Sequence, residues 1–297
     1  MKILVLSALP PVSPDQAGSP RLYCLSQQLS KKHSLHLVTF RSEDPTIALG
    51  KFKDVYSSIE ELPSKPLSTF WHRQKHRVFL ASDFETRFRF PTYFNSICAQ
   101  VSRIIERTSP DVILLHGINF IQYLSHDLEI PVVTDAVDSM SLLFSRLAQA
   151  ARSVHRRVAL WIESKAMMKL ERRAANLSFC IVVASDTDRQ WFTSFCPKVS
   201  TYVVSNGVDL SFFEKTTSST EKNRRIRFTG VMDYSPNIDA AEWFANSIFP
   251  SIRERMPDAE FWVVGKNPAP EVVALSSMRN ISVTGTVPDI KHYLQSS

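Results

Sequence analysis

The chain opens on Lys-Ile-Leu-Val-Leu (Lys2–Leu6), a run with no polar residue after the lysine. A run of that kind fits a strand buried on both faces, the condition of a strand inside a parallel sheet. It gives way to Pro10-Pro11-Val12-Ser13-Pro14, which neither a helix interior nor a central strand accepts. Arg21–Lys32 then places Leu22, Leu25 and Leu29 on one helical face, and Leu35–Phe40 alternates as a second strand. Strand, loop, helix and strand in that order are the opening of an α/β sheet.

The same rhythm runs on. Tyr93–Arg107 reads as a helix that stops before Ser109-Pro110, and Val112–Leu115, Pro131–Thr134, Phe179–Ala184 and Thr201–Val204 read as strands. Asp54–Leu62 and Trp71–Arg77 show no clear period. Thr216–Arg225 is polar and rich in Ser, Thr and charge, which is linker composition. After it come strand Ile226–Thr229, helix Asp239–Arg255 and strands Phe261–Val264 and Ile281–Thr284. A chain of 297 residues suits two domains. The predicted division is 1–200, a connection over 201–225, and 226–297. Gly207, Gly230, Gly265 and Gly285 each follow a predicted strand. They are either tight turns or a ligand-facing edge, because open parallel sheets bind ligands beyond the carboxyl ends of their strands.

Composition removes several classes. There are only 7 glycines, and no two stand as G-x-G, which excludes the dinucleotide fingerprint and the Walker A loop. Cys24, Cys98, Cys180 and Cys196 contain no C-x-x-C, so they read as reduced, buried thiols. Asp186-Thr187-Asp188 follows a strand and reads as the start of a helix capped by Ser185, and no metal is expected there. His72 and His76 have ligand-like spacing but stand among Arg73, Lys75 and Arg77, which would repel a cation. The run Ile3–Leu9 is too short for a signal peptide and no run is long enough to span a bilayer, so the expectation is a cytoplasmic protein.

The net charge of +6 is uneven: residues 1–180 carry 23 Lys+Arg against 16 Asp+Glu, and residues 181–297 carry 12 against 13. Most of the excess lies in Ser139–Asn176, which holds eight cations and two acids and no Gly or Pro. Leu143, Leu147, Ala151, Val154, Val158 and Ile162 recur there at helical spacing, predicting an amphipathic basic helix or helix pair whose apolar stripe packs on the sheet. Its charge is either a solvated face or a surface for an anionic membrane or a pyrophosphate-linked lipid at the inner face of the membrane. Nucleic acid is not expected, since Trp161 is the only aromatic platform and no recognition motif is present.

Several stretches, in this order, resemble the GT-B glycosyltransferases, specifically the retaining family 4 and, more narrowly, sugar transferases of bacterial exopolysaccharide systems. They are Leu9–Arg21, Ser109–His116 (SPDVILLH), Glu171–Phe192, Val203–Asp209 with Phe212, Phe228-Thr229-Gly230 with Pro236–Asp239, Val263-Val264-Gly265 and Val283–Asp289. The resemblance implies two Rossmann-like domains and transfer of a sugar from a nucleotide-sugar donor to a glycan or lipid-linked acceptor, with retention and without a cofactor. It makes His116 the active-site histidine, where the residues alone also allow a structural one. It implies donor contacts at Gly18, Gly230, Asn237, Gly265 and Val287. Arg21, Asp135 and Asp138 become candidates for the acceptor, although Arg21 also fits a solvated cation and Asp138 a helix N-cap.

Two departures shape the expectation. Val231 and Asn237 stand where family members often carry Arg and Lys for the donor diphosphate. The family's E-(x)7-E element, expected after Asp289, is not reached before Ser297, so the second domain is expected to be incomplete. The alternatives are a truncated relative acting as a binding module and a GT-B nucleotide-sugar epimerase.

Overall fold

A computed structural model describes residues 1–11, 20–42, 49–64, 86–87, 90–151, 153–207, 210, 224–287 and 290–295. Gly18, the His72/His76 pair, Arg152 and most of the predicted linker lie outside the described residues. The chain forms two compact units, one of Met1–Pro11 with Arg21–Gly207 and one containing the chain from Val208 onward.

The first unit is a seven-stranded parallel sheet in the order β3-β2-β1-β4-β5-β6-β7. The strands are β1 (Lys2–Ser7), β2 (Ser34–Phe40), β3 (Ser58–Leu62), β4 (Val112–His116), β5 (Val132–Val137), β6 (Cys180–Val183) and β7 (Ser200–Val203). Helix α1 (Pro20–Ser30) follows β1 and begins on the proline, whose missing N–H costs nothing at a first helical position. Helix α2 (Pro91–Thr108) precedes β4, and α3 (Met140–Ala150) and α4 (Val154–Leu177) join β5 to β6. Helix α5 (Asp186–Phe195) joins β6 to β7.

β1 shows why its run is apolar throughout. Leu4 and Leu6 enter one core with Ile97, Val101, Phe120 and Phe192, while Ile3 and Val5 enter a second with Leu22, Leu35, Leu37 and Phe52. The sheet is therefore covered on both faces around β1. β3, for which the sequence shows no clear period, is the edge strand beside β2. Its Glu60 and Glu61 are tolerable because an edge is only half covered.

The basic segment is a helix pair, as the sequence predicts, but its apolar stripe is not continuous. Helix α3 ends at Ala150 and α4 begins at Val154, and Val154, Val158 and Ile162 are exposed. The buried face of α4 is instead Glu163, Ser164, Met167, Glu171, Ala174 and Ala175. Hydrophobic periodicity selects the wrong face because the buried one is polar and small-residue, held by hydrogen bonds such as Ser164 Oγ to the Ser141 carbonyl (2.8 Å).

The second unit holds a three-stranded parallel sheet, β10-β9-β8, of β8 (Arg225–Thr229), β9 (Glu260–Val264) and β10 (Ile281–Gly285). These are the three strands expected there. The expected helix runs as α6 (Ser235–Trp243), a π-turn (Phe244–Ile248) and α7 (Phe249–Arg255). Pro250 cannot donate to the preceding turn, which accounts for the interruption.

Candidate active site

The first sheet reverses its winding between β1 and β4, the place where ligands sit in sheets of this type. Ser7, His116 and Asp135 occupy one register row across β1, β4 and β5 at that edge. Parallel register puts neighbouring side chains on the same face, so His116 and Asp135 meet without help from a loop. The His116 Nδ1 lies 3.0 Å from Asp135 Oδ2. The sequence places both residues just past their strands; the structure places both inside the ladder.

Arg21, in the first turn of α1, closes the group from the other side. Its Nε is 2.9 Å from Asp135 Oδ2 and its Nη2 is 3.0 Å from Oδ1, a bidentate pairing. Its Nη1 donates to the Val204 carbonyl (2.7 Å) and to Asn206 Oδ1 (3.0 Å). Arg21, His116 and Asp135 are all buried. Burial alone raises the Asp135 carboxyl, but hydrogen bonds and charge from His116 and Arg21 outweigh it and hold it below the usual carboxylate range. An ionised carboxylate only accepts, so His116 Nδ1 carries a proton toward it and Nε2 is the acceptor atom of the neutral ring.

The backbone at this edge is also unusual. Gly117 has φ 74°, a conformation costly for a side chain, and its N–H donates to the Asp135 carbonyl at 2.8 Å. Val137, a β-branched residue, has φ 64° beside the register shift between Asp135 and Val137. Strain of that kind costs about 1–3 kcal/mol and gathers at functional edges. Asp138 follows it and is exposed. Lost hydration and the charges of Asp188 and Asp135 raise its carboxyl. Asp138 is not the N-cap: Ser139 caps α3, its Oγ accepting from the Leu142 N–H at 3.2 Å.

Behind this edge lies a buried network that sequence reasoning missed. Glu171 accepts from Ser139 Oγ (2.9 Å), from the Ser141 N–H (3.0 Å) and from Ser141 Oγ. Trp191 Nε1 donates to Ser141 Oγ at 2.7 Å, and Asp188 Oδ1 accepts the Ser139 N–H at 2.9 Å. The one available signal was that Glu163 and Glu171 are the only acids in a basic helical segment. Ser185 caps α5 as the sequence predicts, its Oγ accepting from the Asp188 N–H. Among the described residues, no cluster of three His, Cys, Asp or Glu side chains could hold a metal ion. A cavity of about 550 Å3, lined in part by Arg172, Phe179, Phe195 and Lys198, lies at the opposite end of β6 and β7 and includes none of the His116 group.

In the second unit, Gly230 and Gly265 stand side by side just past β8 and β9. A Cβ on Gly265 would lie 1.7 Å from the Gly230 carbonyl oxygen, so the two backbones meet where no side chain fits. Asn237 Nδ2 donates to the Val231 carbonyl (2.9 Å) and so holds the turn after β8. Val287 is half-buried beyond β10.

Residues 223–297 match the family model described as Glycosyl transferases group 1. No curated protein matches the sequence. The chain resembles the solved structure of sucrose-phosphate synthase from Thermosynechococcus elongatus (13% identity, TM-score 0.63), covering 100% of this chain and 74% of that one. It also resembles trehalose-6-phosphate synthase (11% identity, TM-score 0.60), with 98% and 75% covered. A third likeness is UDP-GlcNAc 2-epimerase from Neisseria meningitidis bound to UDP-GlcNAc (13% identity, TM-score 0.52), with 99% and 74% covered. At such identities the likeness is one of fold, and one fold serves several chemistries. The chain thus has the α/β fold of the GT-B glycosyltransferases, and its residues 223–297 match the group 1 glycosyl transferases.

Proposed function

We propose that this protein transfers a sugar from a nucleotide-sugar donor to a glycan or lipid-linked acceptor, with retention at the anomeric carbon, in exopolysaccharide biosynthesis. The observation that carries the reading is the Arg21–Asp135–His116 relay at the switch-point edge of the first sheet. The reaction breaks the bond between the sugar C1 and the diphosphate, forms one to an acceptor oxygen, and takes the proton from that hydroxyl. A buried imidazole fixed in one tautomer supplies an oriented acceptor at Nε2 for a sugar hydroxyl, or, once protonated, a charge for the developing anion.

In this reading His116 is the catalytic residue. Asp135 sets its orientation, and Arg21 keeps Asp135 ionised while tying it to the chain after β7. Asp138, exposed at the same edge, is the acceptor-facing carboxyl. The donor contacts are Gly18, Gly230, Asn237, Gly265 and Val287, with the Gly230–Gly265 approach leaving backbone rather than side chain toward the ligand. The group 1 match over residues 223–297 supports this donor assignment. No metal or other cofactor enters the proposal.

The test is incubation with UDP, GDP and ADP sugars and glycan or polyprenyl-linked acceptors. The expected result is nucleoside diphosphate release that depends on acceptor, and a product whose anomeric configuration by NMR is that of the donor. Conversion of the nucleotide sugar to its epimer without any acceptor would overturn it.

A further inference from the structure

The outward face of α4 begins as an apolar stripe. Val154 is 68% exposed, Val158 50%, Trp161 55% and Ile162 42%. Their spacing of four, seven and eight residues puts them on one side of the helix. The buried side, from Glu163 through Ser164, Met167, Glu171 and Ala175, lies away from them. Isolated exposed apolar residues are ordinary, but four on one helical side that include a tryptophan form a patch that wants a cover.

The surroundings say what kind. Further along the helix the outward side becomes Lys165, Lys169 and Arg172, all exposed, and His155 is exposed beside the stripe. Lys165 Nζ stands over the Trp161 ring, 5.6 Å from its centroid. The only two acids of α4, Glu163 and Glu171, are on its buried side. The exposed surface of the helix therefore combines apolar side chains with cations and carries no acid. A second copy of the same face would bring like charges together, which disfavours self-association. No helix among the described residues is long and apolar enough to cross a membrane, so the patch suits contact with a bilayer, not passage through it.

We propose that the outward face of α4 docks on an anionic lipid bilayer. Val154, Val158, Trp161 and Ile162 enter the boundary between headgroups and acyl chains, with the tryptophan at headgroup level. Lys165 and Lys169, exposed in line with them, meet the lipid phosphates. The inference stands on the exposure of this helix and is independent of the sugar-transfer reading.

The experiment is co-sedimentation of the whole protein with vesicles of phosphatidylcholine alone, with added phosphatidylglycerol, and with added polyprenyl pyrophosphate. Four forms are compared: wild type, Val158→Asp, Trp161→Ala, and the double variant Lys165→Glu/Lys169→Glu. The expected result is binding to the anionic vesicles at low salt, little to the neutral ones, and at least about tenfold weaker binding at high salt. Each variant should lose at least about tenfold in vesicle affinity while keeping the wild-type melting temperature, since every altered side chain is exposed. Equal binding to the neutral and the phosphatidylglycerol vesicles would overturn the proposal, as would unchanged binding by Val158→Asp and Trp161→Ala. Binding only when the vesicles carry a polyprenyl pyrophosphate would assign the face to that lipid instead. A solution dimer that Val158→Asp dissolves would assign it to a second copy.

Discussion

His116, the last residue of β4, and Asp135, inside β5, are register partners, and the imidazole Nδ1 meets the carboxylate Oδ2 at 3.0 Å. Because Arg21 Nε shares that oxygen at 2.9 Å, Asp135 serves two buried cationic or polar groups at once. Replacing Asp135 with Asn leaves the Arg21 charge buried without its partner. Removing one member of such a pair costs about 3 kcal/mol or more. Chemical denaturation should show that loss with an unchanged m-value.

The same carboxyl predicts a pH dependence. Its folded value lies below its ordinary 3.8, so its contribution is complete above that pH and is lost as pH falls through the folded value. The stability gap between wild type and Asp135→Asn should therefore shrink in acid. A gap that stays constant down to about pH 2 would contradict the assignment of the ionised form.

Glu171 has the opposite sign. Burial raises its carboxyl above the ordinary 4.5, against hydrogen bonds from Ser141 and Ser139 that lower it. The folded protein then holds this proton more tightly than the unfolded chain, so stability falls as pH rises from 4.5 toward the folded value. In Glu171→Gln that portion of the pH dependence should be missing. Unfolding free energies of the two proteins across the mildly acidic range test it.

Gly265 and Gly230 separate two kinds of crowding. An alanine Cβ at Gly265 meets the Gly230 carbonyl oxygen at 1.7 Å, and backbone must move. At Gly230 the first atom met is Asn237 Nδ2 at 2.7 Å, a side-chain end that can swing away by giving up its bond to the Val231 carbonyl. Gly265→Ala should cost on the order of 2–3 kcal/mol. Gly230→Ala should cost about 1 kcal/mol, the worth of one hydrogen bond. Thermal unfolding of the two variants should rank them in that order.

Much of this was legible in the sequence, and what was not has local causes. Continuous apolar runs such as Lys2–Leu6 announce buried parallel strands because both faces of each strand need covering. β3 was obscure because an edge strand can carry Glu60 and Glu61. The buried side of α4 was misjudged because Glu163, Ser164 and Glu171 sit where periodicity expects leucines. His116, Arg21 and Asp135 are each singled out through the family resemblance, at positions after strands or at a helix start. That they form one hydrogen-bonded group depends on register between β4 and β5 and on the seating of α1, neither of which a spacing along the chain encodes.

The most direct test of the account is turnover by His116→Ala with donor and acceptor both saturating, alongside a melting curve of the variant. The account predicts at least about a tenfold fall in turnover, roughly 1.4 kcal/mol of transition-state stabilisation, in a protein that still folds. Wild-type turnover from a folded His116→Ala protein would contradict it, and would reduce the relay from Arg21 through Asp135 to a structural clasp.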